Sequence, residues 1–334
     1  MTFAKKAFAI TRVTAFATVT AVSATLAGGT VLAQSALNGA GASFPAPFYQ
    51  AAFASAASKG IRVNYQSVGS GAGVRQFVAG TVDFGATDEP IKAAEAAKVK
   101  RGVVQFPAVG GTIAIAYNNP ACKNLKLSQK QAVDIFLGKI SSWDQLKCGK
   151  GRINVVHRSD GSGTTFAFTN SLSAFSSEWK SKVGEGKSVK WPVGIGGKGN
   201  EGVAGVLANT PGSIGYVNQA FVKGKLKAVA LQNKAGKYVL PNVRSGAAAL
   251  NNIRLDGNLA GEDPNPAGAE SYPISTLTWI LAYKSGNGSK AGQIRQAMLH
   301  LLGPAQNRAD DLGYVPLKGN VLSAAKKAVG SIGS

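Results

Sequence analysis

Short runs rich in β-branched and aromatic residues alternate along this chain with helix-compatible stretches, and the joints between them are built from Gly, Ser and Thr. That alternation confines the chain to the α/β class, in which helices cover a largely parallel sheet. Residues 61–66, 82–86, 112–117 and 276–283 read as strands. Helices are expected over 45–58, 73–78, 91–99, 130–137, 165–175 and 201–208, the first opened by Pro45 and Pro47. The Gly-, Asn- and Pro-rich stretch 255–266 reads as a long surface loop. No internal repeat is visible, so a solenoid is excluded. At 334 residues the chain has room for two domains.

The first 33 residues read as an export signal rather than as part of the fold. Lys5, Lys6 and Arg12 precede a moderately apolar stretch over 13–26, and Val31-Leu32-Ala33 offers small residues for cleavage before Gln34. The stretch is too weakly apolar for a membrane span of roughly 20 residues, and no later segment is long and apolar enough either. The processed chain is expected to be soluble. In an oxidising compartment the only two cysteines, Cys122 and Cys148, are expected to pair and close a surface loop. Their spacing matches no zinc motif. With His157 and His300 as the only histidines, neither a metal site nor another cofactor is expected.

The net charge of +21 falls to +18 once Lys5, Lys6 and Arg12 are removed. A positive field raises the local concentration of anions. The lysines are scattered, however, and no basic run marks a nucleic-acid-binding arm.

Four segments carry the chemistry. Gly39–Pro45, Ser67–Gly73 and Arg158–Thr165 place small residues and exposed amides where helices are about to start, and Asp83–Asp88 leaves an acid at a strand end. Helix amino ends present unpaired N–H groups and partial positive charge, which suits anions. Gly permits close approach of the backbone, Ser and Thr add hydroxyl donors, and Arg158 offers a planar, permanently charged fork. Each segment taken singly is also an ordinary turn or cap. Together they point to a tetrahedral oxyanion. Asp88 narrows the choice, because a carboxylate beside an anion repels it unless the anion carries a proton to donate. Hydrogen phosphate does, and sulfate at neutral pH does not; a site built on such a bond rejects the analogue lacking it by about 10⁴–10⁵-fold. Asp160 is placed to orient Arg158.

Gly194-Ile195-Gly196-Gly197-Lys198-Gly199 spells a dinucleotide fingerprint, but no Asp or Glu occurs between Gly202 and Leu255, so the ribose-binding acid is missing. No Walker loop or nucleophile elbow is present, Ser177–Lys180 lacks the companion triplets of a penicillin-recognising serine enzyme, and two histidines leave hydrolysis little to work with. An enzyme is not expected.

The same segments, in order, resemble the periplasmic phosphate-binding proteins (the PstS family) of high-affinity phosphate ABC transporters. The likeness runs through GAGASFPAPFY at 39–49, VNYQSVGSGAGVRQF at 63–77, TVDFGATDEPI at 81–91 and IFLGKISSWD at 135–144. It continues through RSDGSGTTFAFT at 158–169, KWPVGIGGKGNEGVAG at 190–205 and SYPISTLTWILAYK at 271–284. The resemblance implies a two-lobed periplasmic-binding-protein fold (type II), with two chain crossovers at a hinge near 112–118 and 274–282. One lobe would hold 34–115 with 278–334, the other 116–277, and phosphate would lie buried between them. It implies phosphate contacts from Ser43, Phe44 through its backbone, Ser70, Asp88, Arg158, Ser162, Gly163 and Thr164, with Asp160 in support. The Gly194–Gly199 loop would be structural. The implied partners are inorganic phosphate and the permease subunits of an inner-membrane transporter, with the protein periplasmic, monomeric and free of nucleic acid. The sequence departs from the family pattern in Ser43 where Thr is common, in Gly71-Ala72 for the more usual Ser-Gly, and in Glu89, which is expected to point outward. The competing readings are a secreted phosphatase-like protein, a polyanion-binding surface protein, and a binding protein for sulfate, arsenate or phosphonate.

Overall fold

The computed structural model describes residues 1–2 and 36–334 apart from 252; all but two residues of the expected export signal lie outside the described residues. The chain begins β1 (Leu37–Gly41), α1 (Ala46–Ala57), β2 (Val63–Ser67), α2 (Ser70–Ala79), β3 (Phe84–Thr87), α3 (Ala93–Ala96) and β4 (Val103–Asn118). It continues with β5 (Lys126–Leu127), α4 (Gln129–Phe136), β6 (Asn154–Arg158), α5 (Gly163–Phe175), α6 (Ser177–Lys182), β7 (Ile195–Gly197), α7 (Gly199–Asn209) and β8 (Ser213–Asn218). The last part holds β9 (Lys227–Ala228), β10 (Ala230–Gln232), β11 (Tyr238–Val239), α8 (Val243–Leu250), β12 (Ser275–Tyr283), α9 (Ala291–Leu301) and α10 (Gly319–Gly330). The α/β reading holds.

The main sheet has the order β2-β1-β3-β12-β4-β8-β6-β7, with β9 added beside β4. β1 lies parallel between β2 and β3, and β6 lies parallel between β7 and β8. Between these groups β4 changes partner. It pairs antiparallel with β12 from Val103 to Thr112 and with β8 from Ile113 to Asn118. A small second sheet has the order β11-β10-β5.

β1, β6 and α8 to α10 are not among the elements read from the sequence, and two of the expected elements come out with clearly different lengths. β4 is far longer than 112–117, because Pro107 and Gly110-Gly111 disguise its first half while β12 pairs it throughout. The helix expected over 91–99 is one turn, Ala93–Ala96, followed by three-residue turns to Gly102. It buries none of its residues, and a short helix without a packed face gains too little to propagate.

Packing sets the helix starts. A Cβ on Gly73 would stand 2.7 Å from Ala40 O, so only Gly lets α2 press onto β1. Around α5, the Phe168 ring stacks on Tyr216 at 4.2 Å between centroids, which fixes the start of that helix over β8. Cys122 and Cys148 are joined in a disulfide. No helix among the described residues is long and apolar enough to cross a membrane.

Candidate anion site

Parallel strands deliver their carboxyl ends to helix starts, and in open α/β sheets ligands gather at those ends. Here the carboxyl ends of both parallel groups meet one another. β1 runs into Ser43 and Phe44 ahead of α1, β2 into Ser70 at the start of α2, and β3 into Asp88. From the other group, β6 runs through Arg158 and Asp160 to Ser162, the N-cap of α5, and β7 runs into α7.

Hydrogen bonds draw these ends together. Thr164 Oγ1 donates to Asp88 Oδ2 at 3.2 Å, and Thr278 Oγ1, from β12, donates to Asp88 Oδ1 at 2.9 Å. Asp88 N donates to Ser70 Oγ at 3.2 Å. Gly71 N donates to Gly161 O at 2.8 Å. Gly163 sits so close to this junction that a Cβ there would be 2.6 Å from both Asp88 N and Ser70 Oγ. Asp88 is 1% exposed. Burial pushes its carboxyl up to about 6, against the opposing pull of the Thr278 bond, the Arg158 charge and the Thr164 bond.

Arg158, 4% exposed, gives Nε to Asp160 Oδ1 at 2.7 Å and Nη2 to Asp160 Oδ2 at 2.6 Å. This two-point bond fixes the plane of the guanidinium. Asp160 also accepts from Gly199 N at 3.0 Å. Burial pushes the Asp160 carboxyl up, but the Arg158 bond and charge and the Gly199 N–H bring it below its ordinary value. Arg158 Nη1 is left buried with no hydrogen-bond partner among the described residues, a costly position for a charged donor unless a ligand meets it. The Arg158 backbone is held in turn, its N donating to Tyr216 OH at 3.1 Å.

Ser162 caps α5 by accepting from Thr165 N at 3.0 Å, and its own N donates to Lys187 O at 2.8 Å, so only its hydroxyl proton is free for a ligand. Phe44 packs its ring edge-on against Tyr314, and its carbonyl accepts from Tyr314 OH at 2.7 Å. The ring is therefore structural.

Three features escaped sequence reasoning. Asn200 is fully buried at the start of α7. Its Nδ2 donates to Ser43 Oγ at 2.9 Å and to Thr164 Oγ1 at 3.1 Å, while its Oδ1 accepts from Asn218 N at 2.7 Å. The Gly194–Gly199 loop, read as structural, thus leads directly into the site. Thr278 was also missed, since nothing near it in sequence marks it as a partner of Asp88. Glu89, expected to face outward, is 3% exposed. Lys187 Nζ at 3.0 Å and Lys92 Nζ at 3.3 Å neutralise it; Lys187 is nearly a hundred residues away in sequence, which hid the pairing.

Residues 20–297 match the model of the PBP superfamily domain. The chain is 44% identical over 308 residues to the phosphate-binding protein PstS of Haemophilus influenzae, covering 87% of this chain and 91% of that one. It is 35% identical to the phosphate-binding protein PstS of Methanocaldococcus jannaschii, over 81% of this chain and 79% of the other. Among solved structures, a high-affinity periplasmic phosphate-binding protein (PfluDING) bound with phosphate shares the fold with a TM-score of 0.74 at 21% identity, covering 88% of this chain and 93% of that one. The chain belongs to the PstS family of phosphate-binding proteins within the PBP superfamily.

Proposed function

We propose that this protein captures inorganic phosphate in the periplasm and delivers it, as a monomer, to the permease subunits of an ABC transporter. The observation that carries the reading is the buried pair of Asp88, whose two carboxylate oxygens accept from the Thr164 and Thr278 hydroxyls, and Arg158, whose Nη1 has no hydrogen-bond partner among the described residues. Hydrogen phosphate satisfies both at once. Its oxyanions take the guanidinium and the donors of Ser43, Ser70, Ser162, Gly163, Thr164 and the Phe44 backbone, while its P–OH donates to Asp88. The relatives named PstS and the solved neighbours with bound phosphate support the same assignment.

The site then lies between two lobes, one of residues 34–115 with 278–334 and the other of 116–277. The exchange of partners along β4 at Thr112/Ile113 and the start of β12 at Ser275 support hinge crossings there. On this division the bonds from Thr164 to Asp88, Asn200 to Ser43 and Ser67 to Glu201 Oε1 (2.9 Å) bridge the lobes. They would break on opening and re-form around the anion.

Calorimetry with inorganic phosphate tests this reading. Wild type should bind one phosphate, and Arg158→Lys, which keeps the charge but loses the planar fork, should bind at least about tenfold more weakly. Absence of phosphate binding by the wild type would overturn it.

A further inference from the structure

The strong positive charge has a place in the fold that phosphate capture does not use. Between Gly202 and Leu255 the chain has no acid, and this stretch supplies β8 to β11. β10 pairs with β5 and with β11, which puts Lys126 on one small sheet with Lys234 and Lys237 of the β10–β11 turn. The disulfide adds Lys123 and Lys147, each next to a bonded cysteine, and Lys227 reaches the same place by donating to Cys122 O at 3.3 Å. Lys123, Lys126, Lys147, Lys234 and Lys237 are exposed, and none is in an ion pair among the described residues. Two acids of the flanking segments are already paired, Asp134 with Lys130 and Glu270 with Arg244.

The disulfide end cannot contribute much to steering phosphate. β4 runs away from the anion site, from Ile113 beside β8 to Asn118, and Asn119 Nδ2 then donates to Cys148 O at 3.0 Å. Residues 113–118 alone span about 17 Å, roughly twice the screening length of about 8 Å at physiological salt. A different anionic partner is called for.

Two apolar side chains say which. Tyr238 and Leu240, 45% and 53% exposed, stand two residues apart on the outer strand of the small sheet and just beyond it. Lys126 Nζ lies 5.9 Å over the Tyr238 ring. Lysines on an open edge strand guard it against pairing, but that task needs no exposed Tyr and Leu. A soluble polyanion would likewise engage the lysines alone. An exposed aromatic ring and a Leu on the same small sheet as these lysines match the headgroup boundary of a charged bilayer, where rings sit at the interface and lysines meet anionic lipid. We propose that the small-sheet face, with the adjoining disulfide loop, is a docking surface for an anionic phospholipid bilayer.

Co-flotation of the purified protein, in the form the cell accumulates, with vesicles tests this. Vesicles of phosphatidylglycerol with phosphatidylcholine should retain the wild type at low salt and release it at high salt, and pure phosphatidylcholine vesicles should not retain it. Lys126→Glu/Lys234→Glu/Lys237→Glu should lower the partition coefficient at least about tenfold, and Tyr238→Ser/Leu240→Ser should lower it severalfold. Both should leave phosphate affinity unchanged, since none of these residues touches the anion site. Equal retention on neutral vesicles, no retention on either, or retention indifferent to both variants would overturn the proposal. So would tighter binding to soluble polyphosphate that ignores the Tyr238/Leu240 change, or a dimer that the lysine variant dissociates.

Discussion

Thr278 Oγ1 donates to Asp88 Oδ1 at 2.9 Å, joining β12 to the end of β3 across 190 residues of sequence. The bond pins one carboxylate oxygen, while Thr164 serves the other. Thr278→Val keeps the shape and removes the donor from a buried acid. It should cost about 1–3 kcal/mol of stability in urea unfolding and weaken phosphate binding. An unchanged midpoint would mean that the bond is not needed to hold Asp88.

Asn200 is the junction of Ser43, Thr164 and Asn218. Asn200→Ala strands Asn218 N and takes a donor from each of two hydroxyls in a buried network. Such losses typically cost about 2–4 kcal/mol in total. Denaturant titration should show this, and calorimetry should show reduced phosphate affinity, because Ser43 and Thr164 are then free to turn away.

Gly163→Ala places a methyl 2.6 Å from Asp88 N and Ser70 Oγ. Both neighbours are buried, so the strain cannot be shed by an exposed side chain. We expect about 1–3 kcal/mol of destabilisation and at least about a tenfold loss of phosphate affinity, measured on the same preparation.

The raised carboxyl of Asp88 makes stability depend on pH. The native state holds this proton up to about 6, whereas an unfolded Asp releases it near 4. Between these values the native state binds more protons. The contribution of Asp88 to the stability of phosphate-free protein should therefore be fully present below about 4 and be lost as pH rises through about 6, a fall of up to about 3 kcal/mol from this group. Glu262, pushed up to about 7 by burial and by Glu89 and Glu185, adds a fall of the same sign. The quantity to measure is thus the difference between wild type and Asp88→Asn in urea midpoints across this range, and no difference would contradict the account.

Legibility in the sequence followed the range of the interactions. The strand ends and helix starts that carry Ser43, Ser70, Asp88 and Ser162 could be read because turn and capping chemistry is local. The same holds for Arg158 and Asp160, two residues apart. Asn200 and Thr278 could not be read, since each acts only on groups that the sheet brings in from far along the chain. The inward turn of Glu89 depends on Lys187 in the same way. The first half of β4 was hidden for a different reason: its Pro and Gly residues weaken the strand signal, and only the pairing of 103–112 with β12 overrides them.

The central claim is that Asp88 reads the proton on the anion. It is tested most directly by calorimetric affinities for phosphate and sulfate on wild type and Asp88→Asn. The account predicts that wild type prefers phosphate by about 10⁴-fold or more. It predicts that Asp88→Asn narrows that preference at least about a hundredfold, because the amide can donate to sulfate and no longer repels it. Sulfate binding to wild type as tightly as phosphate, or a preference untouched by the substitution, would contradict it.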